Sequence, residues 1–418
     1  MHMHTVISMD FLNSSFKFMT GRKMEETMKN FFEGITILDH TSYLLGEYAT
    51  QVFADMGATV IKVENMKTGD YGRTLEPKIN GVSYYTCALD RNKKSVSLNL
   101  KSEKGKEAYY RLLEKADIVF ENFRPGVTKR LGIDYETEKT IKPDIIHVAI
   151  SAFGQNDPRS LQAYHDLNFQ ALCGYMYLNG PRHAPIHMCD MISSMVSIQD
   201  IMAALIQRSV TGEGAFCDVS MFDCLVWWNA KIDERWQFLG NKFEYSDLAF
   251  RFLGNWIWET KDGRHVALCL NEEKFWNTWI DMTGFEEMRD HMKAREEEHP
   301  EFFEKMEKFM KSKTLDEWKE WIGDNDVCAT YVNNKTEAID YILKSGTGLM
   351  EYCDFPLTGK TLQTRIPHNI TTLPIIPLQE ASAPPVLGEN NMDVLESVGY
   401  SADEIKAMAA EGACGAVE

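Results

Sequence analysis

The order of the first secondary-structure elements is set by residues 35–64, which read ITILDHTSYLLGEYATQVFADMGATVIKVE. Two short runs rich in β-branched residues, 35–39 and 59–64, each predict a strand. Between them, apolar side chains recur at helical spacing over 45–56 and stop at Gly57, which predicts a helix that ends at a glycine. This β–α–β order predicts two parallel strands joined by a crossover helix.

The same alternation continues for about another hundred residues. Further strands are predicted at 95–100, 118–120 and 145–150, with a helix at 103–115 between the first two of them. Strands that alternate with helices form a parallel sheet covered on both faces. The predicted fold class is therefore α/β, with a Rossmann-like parallel sheet in a large domain.

A dinucleotide site is not predicted in this sheet, although Glu64 ends the second strand where a ribose-binding acid would stand. The first strand-to-helix turn, residues 39–46, reads DHTSYLLG and lacks the GxGxxG pattern. Without those glycines the backbone cannot approach a pyrophosphate closely. The sequence indicates the fold without nicotinamide chemistry.

Composition changes along the chain suggest how it is divided. Residues 1–30 contain only short apolar patches and read as an N-terminal extension, and residues 31–230 form the large domain. Tryptophan, glutamate and lysine become dense after about residue 240, so 240–350 is predicted to be a smaller α+β domain. Residues 351–418 are expected to return to the large domain and to end in two short helices.

Bulk properties narrow the class of function. The formal net charge of −18 argues against a nucleic-acid partner, because phosphate binding needs an excess of lysine and arginine. No apolar run approaches the roughly 18 residues of a membrane span, so no membrane association is expected. Nine cysteines without any CxxC pair favour reduced thiols in the cytoplasm.

Two features stand out as candidate sites. Arg91, Lys93 and Lys94 form a basic cluster in the predicted loop before strand 95–100, where they would either be solvated or bind an anionic group. Asp190 begins a predicted long helix, 190–208. The structural explanation is a helix N-cap, and the positive end of the helix dipole would keep the carboxylate ionised, as a nucleophile requires.

Several consecutive segments, in shared order and spacing, resemble the CaiB/BaiF family of class III CoA-transferases and 2-methylacyl-CoA racemases. The string 174–180, GYMYLNG, is most similar to carnitine- and bile-acid-type CoA-transferases. The segments that carry the family resemblance are ADMGATVIKVE at 54–64, ENFRPG at 121–126, RLG at 130–132, SAFGQ at 151–155, YHDLNFQA at 164–171 and TGEG at 211–214.

The resemblance implies an interlocked homodimer that binds an acyl-CoA and a free carboxylic acid, with no permanently bound cofactor. It implies that the large domain binds CoA, which enters as a thioester co-substrate. Arginine and lysine satisfy its phosphates by charge-assisted hydrogen bonds. The residues expected to bind CoA are Arg91, Lys93, Lys94, Asn122, Phe123 and Arg130.

By the same resemblance, Asp190 falls where family transferases carry the aspartate that attacks the acyl-CoA carbonyl. The implied course is a mixed anhydride, then an aspartyl-CoA thioester, then transfer of CoA to the acceptor acid. Anhydride and thioester are both activated acyl groups, so a covalent carboxylate retains most of the driving force.

His165 and Asp166 leave a second reaction open. The string 165–169, HDLNF, is similar to that of 2-methylacyl-CoA racemases, in which the histidine and Asp190 would exchange the α-proton. Gln170 and the long excursion between Glu64 and Arg91 favour the transferase instead. A third reading is a non-catalytic CoA-binding protein, which retention of Asp190 and of the basic cluster argues against.

The expected substrate pocket is lined by Tyr43, Leu44 and Leu45, whose apolar side chains suit a bulkier acid than formate or oxalate. The glycine-rich segment that covers the active site of formyl-CoA transferase has no counterpart near 238–256. No metal is expected, because His187, Cys189 and Asp190 alone cannot complete a coordination sphere.

Overall fold

The computed structural model describes residues 30–178, 180, 182, 184–242, 251–370 and 374–417. Nearly all of the predicted N-terminal extension, residues 1–29, lies outside the described residues. Residues 243–250 also lie outside the described residues; they are part of the segment 238–256, in which the sequence has no counterpart of the glycine-rich segment.

The strands begin with the β-branched runs of the sequence and continue to the C-terminal third. In chain order they are β1 Thr36–Asp39, β2 Thr59–Asn65, β3 Lys78–Ile79, β4 Val82–Ser83, β5 Lys93–Leu98, β6 Ile118–Glu121, β7 Ile146–Ser151, β8 Ala215–Ser220, β9 Asn255–Glu259, β10 His265–Cys269, β11 Ala329–Tyr331, β12 Met350–Phe355 and β13 Gly359–Thr364.

The helices alternate with these strands over the first half of the chain. They are α1 Leu44–Asp55, α2 Tyr84–Leu89, α3 Glu103–Leu113, α4 Val127–Leu131, α5 Tyr135–Ile141, α6 Asp166–Leu172, α7 Tyr175–Leu178, α8 Met188–Thr211, α9 Met221–Phe238, α10 Glu273–Thr283, α11 Pro300–Met310, α12 Leu315–Ile322, α13 Lys335–Lys344, α14 Asn391–Glu396 and α15 Ala402–Ala410. Short 3₁₀ turns occupy Tyr71–Thr74, Glu286–His291 and Leu378–Glu380.

The described chain divides into two compact units. The sheet unit comprises the residues up to 175, 183–231 and those from 346 onward, and the small unit comprises 176–182 and 232–345. The short stretch 176–182 belongs to the small unit, although the sequence boundaries placed it in the large domain.

The sheet unit is built on a parallel sheet with strand order β5-β2-β1-β6-β7-β8. The predicted α/β fold with a Rossmann-like sheet is confirmed. Successive residues of β1 point to opposite faces: Ile37 packs with α1 and α8, whereas Leu38 packs with α3, α14 and α15. Strand order reverses between β1 and β6, and α/β proteins usually bind ligands outside the carboxyl ends of strands at such a point.

The C-terminal residues cover the outer strand β5. The Ser95 N–H donates to Asn390 Oδ1 at 2.9 Å, and the Ser97 N–H donates to Asn391 Oδ1 at 2.8 Å. Leu98 forms a bridge to Cys414 farther along the chain. An exposed sheet edge can pair with another chain, and here the chain's own end protects it.

The small unit is an antiparallel sheet, β11-β10-β9, with helices packed on it. Residues 260–264 form the hairpin turn between β9 and β10, in which the Thr260 N–H donates to the Arg264 carbonyl at 2.8 Å. Its core contains the fully buried rings of Trp276, Trp279 and Trp318. Large aromatic side chains of this kind give a small unit much of its buried apolar area.

Helix α8 is long and apolar enough to cross a membrane by length and composition alone. One face of it, including Ile192, Ile198 and Ile201, is buried in the core against the sheet. Helices in the core of a folded domain also reach this length and apolar content, so packing against the sheet accounts for the apolar composition of α8.

Beneath α1 the sheet buries charge as well as apolar surface. Lys62 of β2 is fully buried, and its ammonium contacts the Glu47 carboxylate, Asp70 Oδ2 at 2.9 Å and the Thr41 carbonyl at 3.1 Å. Burial alone would lower the pKa of Lys62, but Glu47 and further carboxylates raise it well above its usual value. Helix α1 is therefore held on the sheet by a buried ion-pair cluster.

Replacing Lys62 tests how much the fold depends on this cluster. Lys62→Met is expected to lower the free energy of unfolding by about 3–5 kcal/mol, because Glu47 and Asp70 would be left buried without a cation. Urea unfolding followed by circular dichroism measures the change. Lys67→Met, at an exposed lysine just after β2, is the matched control, with an expected change within about 0.5 kcal/mol. Equal losses at the two positions would contradict the assignment.

Candidate active site

The turns that follow β1 and β6 meet where the strand order reverses. The Ser42 N–H donates to Asn122 Oδ1 at 2.9 Å, and Asn122 Nδ2 donates to the Ser42 carbonyl at 2.6 Å. This reciprocal pair fixes the two turns against each other. Asn122 and Phe123, both predicted to bind CoA, thus stand at the crevice where α/β ligands usually bind.

A buried network supports the second of these turns. The Phe123 N–H donates to the carboxylate of Glu121, and His147 lies 3.8 Å from Glu121 and 2.6 Å from Glu138. Burial opposes protonation of His147, yet the two glutamates raise its pKa to about 9. His147 is therefore a cation at neutral pH that lies between these two buried glutamates. No local pattern marks it, because β6, α5 and β7 are brought together only by the fold.

The basic cluster is not arranged as predicted. Lys93 and Lys94 belong to β5 rather than to a loop, and Arg91 and Lys93 are buried. The Arg91 guanidinium pairs with the carboxylate of Asp55, and the Lys93 ammonium lies 3.3 Å from Asp39 Oδ2 and 3.1 Å from Asp90 Oδ1. The prediction that Arg91 and Lys93 bind phosphate is therefore corrected: both cations are committed to internal carboxylates.

Other cations of the sheet unit remain at the surface. Lys94 is exposed on the outer strand, and Arg130 is exposed in the last turn of α4. Arg124 and Lys129, close to Arg130 in the chain, are exposed as well. These side chains, unlike Arg91 and Lys93, can reach a phosphate from solvent.

Helix α8 begins two residues earlier than predicted, which changes the position of Asp190. The N-cap is His187, and Asp190 stands in the first turn. A carboxylate from another helix serves the exposed amides instead: the Cys189 N–H donates to Asp166 Oδ1 at 2.6 Å. Asp190 is thus not the N-cap, and its side chain is spared from capping the helix.

The Asp190 carboxyl is half-buried and makes no hydrogen bond or ion pair with any residue the structure describes. Burial raises its pKa to about 7, and the negative charge of Asp166 adds to the effect. The expectation of a low pKa was wrong, because it counted the helix terminus but not desolvation. A carboxyl that titrates near neutral pH without a partner is a feature of reactive sites.

His165 and Asp166 have different surroundings. His165 is exposed at the start of α6, where its N–H donates to Asn168 Oδ1 at 3.0 Å. Asp166 is buried and accepts a second hydrogen bond from the Gln170 amide. Asp166 therefore links α6 to the first turn of α8 and lies close enough to Asp190 to raise its pKa.

The predicted substrate-pocket residues divide into two groups. Leu45 is buried in the core, and the Ser194 hydroxyl of α8 donates to its carbonyl, so its side chain is not available to a substrate. Leu44 is half-buried. Tyr43 is 39% exposed, has a positive φ of 65°, and its ring is tilted by 33° against that of Tyr71, with the ring centroids 4.9 Å apart. The contact between Ser194 and Leu45 brings the first turn of α1 against the second turn of α8, one turn after Asp190.

Tyr85 of α2 is a site residue that the sequence analysis missed. Its side chain is half-buried, and burial, followed by the charges of Glu47 and Asp190, raises its pKa. The hydroxyl is therefore neutral and lies within electrostatic reach of Asp190. No local sequence pattern signals it, because the 105 positions that separate the two residues are bridged only by the fold.

Cys189 has a structural role next to Asp190. Its thiol donates to the Met221 carbonyl at 3.2 Å, and burial raises its pKa. Within the ranges that the structure describes, no three histidine, cysteine or acidic side chains are grouped so as to hold a metal ion.

Comparisons with known proteins agree with this architecture. A family model described as CoA-transferase family III matches residues 32–391. The succinyl-CoA:glutarate CoA-transferase of Homo sapiens is 29% identical over 394 residues, which cover 91% of this chain and 89% of that protein. The acetyl-CoA:oxalate CoA-transferase of Acetobacter aceti is 34% identical over 260 residues, which cover 58% of this chain and 64% of that protein.

Solved structures show the same fold. A CaiB/BaiF family protein from Brucella suis superimposes with a TM-score of 0.77 at 23% identity and covers 89% of this chain and 100% of its own. Rv3272 from Mycobacterium tuberculosis, in an orthorhombic crystal form, gives 0.72 at 25% identity, with 87% and 98% covered. The family model spans most of the chain, and this protein is therefore a member of CoA-transferase family III.

Proposed function

We propose that this family III CoA-transferase moves CoA from an acyl-CoA thioester to a free carboxylic acid through a covalent intermediate on Asp190. The proposal rests on the surroundings of the Asp190 carboxyl. It is half-buried, has no partner among the described residues and has its pKa raised to about 7 by burial and Asp166. Structural carboxylates are normally paired or hydrogen-bonded, as Asp166 is.

The proposed reaction begins with attack of an Asp190 oxygen on the thioester carbonyl. The C–S bond breaks, CoA leaves as the thiolate and a mixed anhydride remains. The thiolate then attacks the Asp190 carbonyl, which releases the donor acid and forms an aspartyl-CoA thioester. The acceptor carboxylate repeats these steps in reverse order, so that a new acyl-CoA leaves and Asp190 is restored.

The surroundings of Asp190 suit this chemistry. A carboxylate with a raised pKa is a stronger nucleophile than an ordinary surface aspartate. With a pKa of about 7, Asp190 is still ionised in about half of the molecules near pH 7. Asp166 binds the Cys189 amide and so fixes the first turn that carries Asp190. The neutral Tyr85 hydroxyl, which Asp190 influences electrostatically, is proposed to donate a hydrogen bond to the carbonyl oxygen under attack.

The CoA moiety is proposed to occupy the crevice at the reversal of strand order. Asn122 and Phe123 line it, and the Glu121–His147 network holds their turn. The exposed cations Arg130 and Lys94 are proposed to contact the phosphates in place of the buried Arg91 and Lys93. CoA enters as a co-substrate, and no permanently bound cofactor is proposed.

The donor and acceptor are proposed to include a bulky acid. Tyr43 and Leu44 offer apolar surface at the start of α1, which contacts the second turn of α8, and Tyr71 extends this surface. The relatives named above act on glutarate and oxalate. The proposal predicts a preference for larger acids, and fast turnover of oxalate with formyl-CoA would argue against it.

Trapping the intermediate tests the assignment directly. Incubation with a panel of acyl-CoAs and hydroxylamine should convert Asp190 to its hydroxamate, because anhydride and thioester carbonyls are both attacked by this amine. Peptide mass spectrometry locates the change. Asp190→Ala is expected to lose turnover by a factor of at least about 10⁴, since the nucleophile itself is removed, while CoA affinity stays nearly unchanged.

Asp200 provides a matched control, since it lies on the same helix, is also half-buried and also has its pKa raised by burial. Asp200→Ala should retain activity and trapping at Asp190. Exchange of the α-proton of a 2-methylacyl-CoA in D₂O without an adduct, abolished by His165→Phe, would identify a racemase instead. If neither an Asp190 adduct nor α-proton exchange is observed, the remaining function is CoA binding without catalysis.

The pH dependence follows from the pKa of Asp190. Attack requires the ionised carboxylate, so the rate of enzyme acylation should rise with pH, reach half its maximum near pH 7 and level off above it. Asp166→Asn removes the adjacent negative charge and should move this midpoint to lower pH. The Gln170 amide can rotate to accept from the new side chain, because its oxygen has no partner among the described residues. A rate that falls between about pH 6 and 8 would contradict the nucleophile assignment.

A second copy of this chain is the proposed partner, as the family resemblance implies. Helix α9 carries Trp227 and Trp228 with 60% and 58% of their surfaces exposed and their rings 6.1 Å apart. Adjacent exposed tryptophans are typical of the centre of an interface. The location is proposed to be cytoplasmic, in keeping with nine cysteines that form no disulfide bond.

Sedimentation velocity tests the homodimer. The wild-type chain should sediment at twice its own mass, and the double variant Trp227→Ser with Trp228→Ser should shift to the monomer, because interface energy is concentrated in such aromatic anchors. Tyr341→Ser is the control, since Tyr341 is 63% exposed on α13 of the small unit. A monomeric wild type, or a double variant that stays dimeric, would refute the proposed surface.

A further inference from the structure

Two cysteines of the small unit differ from all others in their exposure. All nine cysteines lie within the described ranges, and none of them is in a disulfide bond. Five are buried and two, Cys173 and Cys217, are half-buried, whereas Cys269 and Cys328 are exposed. A reagent in solution therefore meets these two thiols first.

The backbone brings the same two residues next to each other. In the antiparallel pair β10–β11, Val266 lies opposite Tyr331 and Leu268 lies opposite Ala329. Cys269 ends β10 and Cys328 stands in the bend just before β11, where the Cys269 N–H donates to the Cys328 carbonyl at 2.8 Å. This direct bond keeps the two residues adjacent, as a disulfide requires, since its Cα atoms are roughly 4.4–6.8 Å apart.

Both side chains are open to solvent. Along β10, Val266 and Leu268 are buried in the core, so Cys269 points to the opposite, exposed face. Cys328, bonded to it through the backbone, is exposed as well. The Cys269 sulfur has one polar neighbour, the Asn271 amide at 3.3 Å, which leaves it accessible.

We propose that Cys269 and Cys328 form a reversible dithiol site that reacts with low-molecular-weight disulfides. One thiolate attacks the reagent RSSR, forms a mixed disulfide with the protein and releases one thiol, RSH. The second thiolate then displaces the remaining RS group, which leaves as a second RSH, and the Cys269–Cys328 bond forms. The two protein protons end on the two released thiols, and the reagent is the oxidant.

The position of the pair makes the bond easy to reverse. An exposed disulfide is readily attacked by an external thiol, which is typical of labile rather than structural bridges. When formed, it ties the outer strand β11 to the central strand β10 and closes a loop that contains α10, α11 and α12. This chemistry is independent of the proposed role of Asp190.

Treatment of the intact protein with glutathione disulfide tests the site. The expected product has lost two hydrogen atoms, and proteolysis under non-reducing conditions should yield one linked pair of peptides, containing Cys269 and Cys328. Excess dithiothreitol should restore the original mass. Phenylarsine oxide, which requires two neighbouring thiols, should bind with a stoichiometry of one to the reduced protein only.

Single substitutions separate the two steps. Cys269→Ser should leave a persistent mixed disulfide on Cys328, and Cys328→Ser one on Cys269, with arsenical binding lost in both. Cys217→Ser, at a half-buried thiol of the sheet unit, should behave as the wild type. The proposal is overturned if the wild type keeps two mixed disulfides, links a different pair, or does not react with excess glutathione disulfide.

Discussion

The contact of two buried lysines with carboxylates is the interaction on which the sheet unit depends. Lys62 and Lys93 project from neighbouring strands toward α1, where an all-apolar sheet would place aliphatic side chains. Apolar packing tolerates small shifts of a helix, but a buried ion pair must be satisfied in one geometry. Helix α1 is thereby fixed in position, and Leu45 in its first turn accepts a hydrogen bond from Ser194 in the second turn of α8, one turn after Asp190. The placement of Asp190 follows from charges that lie beneath it.

Two neighbouring aspartates, Asp166 and Asp190, have different surroundings at the start of α8. Asp166 is hydrogen-bonded to the Cys189 amide and to Gln170, and it satisfies the helix end. Asp190 has no such partners among the residues that the structure describes, and the charge of Asp166 makes its ionisation harder. Pairs of acids whose surroundings differ in this way are the usual means by which one fold supplies a structural anion and a reactive one. The proposed chemistry thus relies on an Asp190 carboxylate that does not cap the helix, because Asp166 binds the exposed amide instead.

Local patterns predicted the fold but not the ion pairs. The strands and α1 follow from hydrophobic period and glycine stops, which are properties of neighbouring residues. Arg91 and Lys93 looked like surface cations because their partners Asp55 and Asp39 are brought to them by the fold. Leu45 was similarly assigned to a pocket although α8 covers it. Among the site residues, Asp190 and Asn122 were identified by family resemblance, whereas Tyr85 and His147 have no local signal and required coordinates.

The cover of β5 by the C-terminal residues has a consequence for synthesis on the ribosome. Ser95 and the Asn390 side chain that binds its amide are 295 positions apart, and the small unit is encoded between them. The edge of the growing sheet therefore stays open while the intervening residues are translated and the small unit folds. Open edges of this kind pair readily with other chains. The nascent protein is most prone to association during that interval, which ends when residues 390–414 emerge and cover β5.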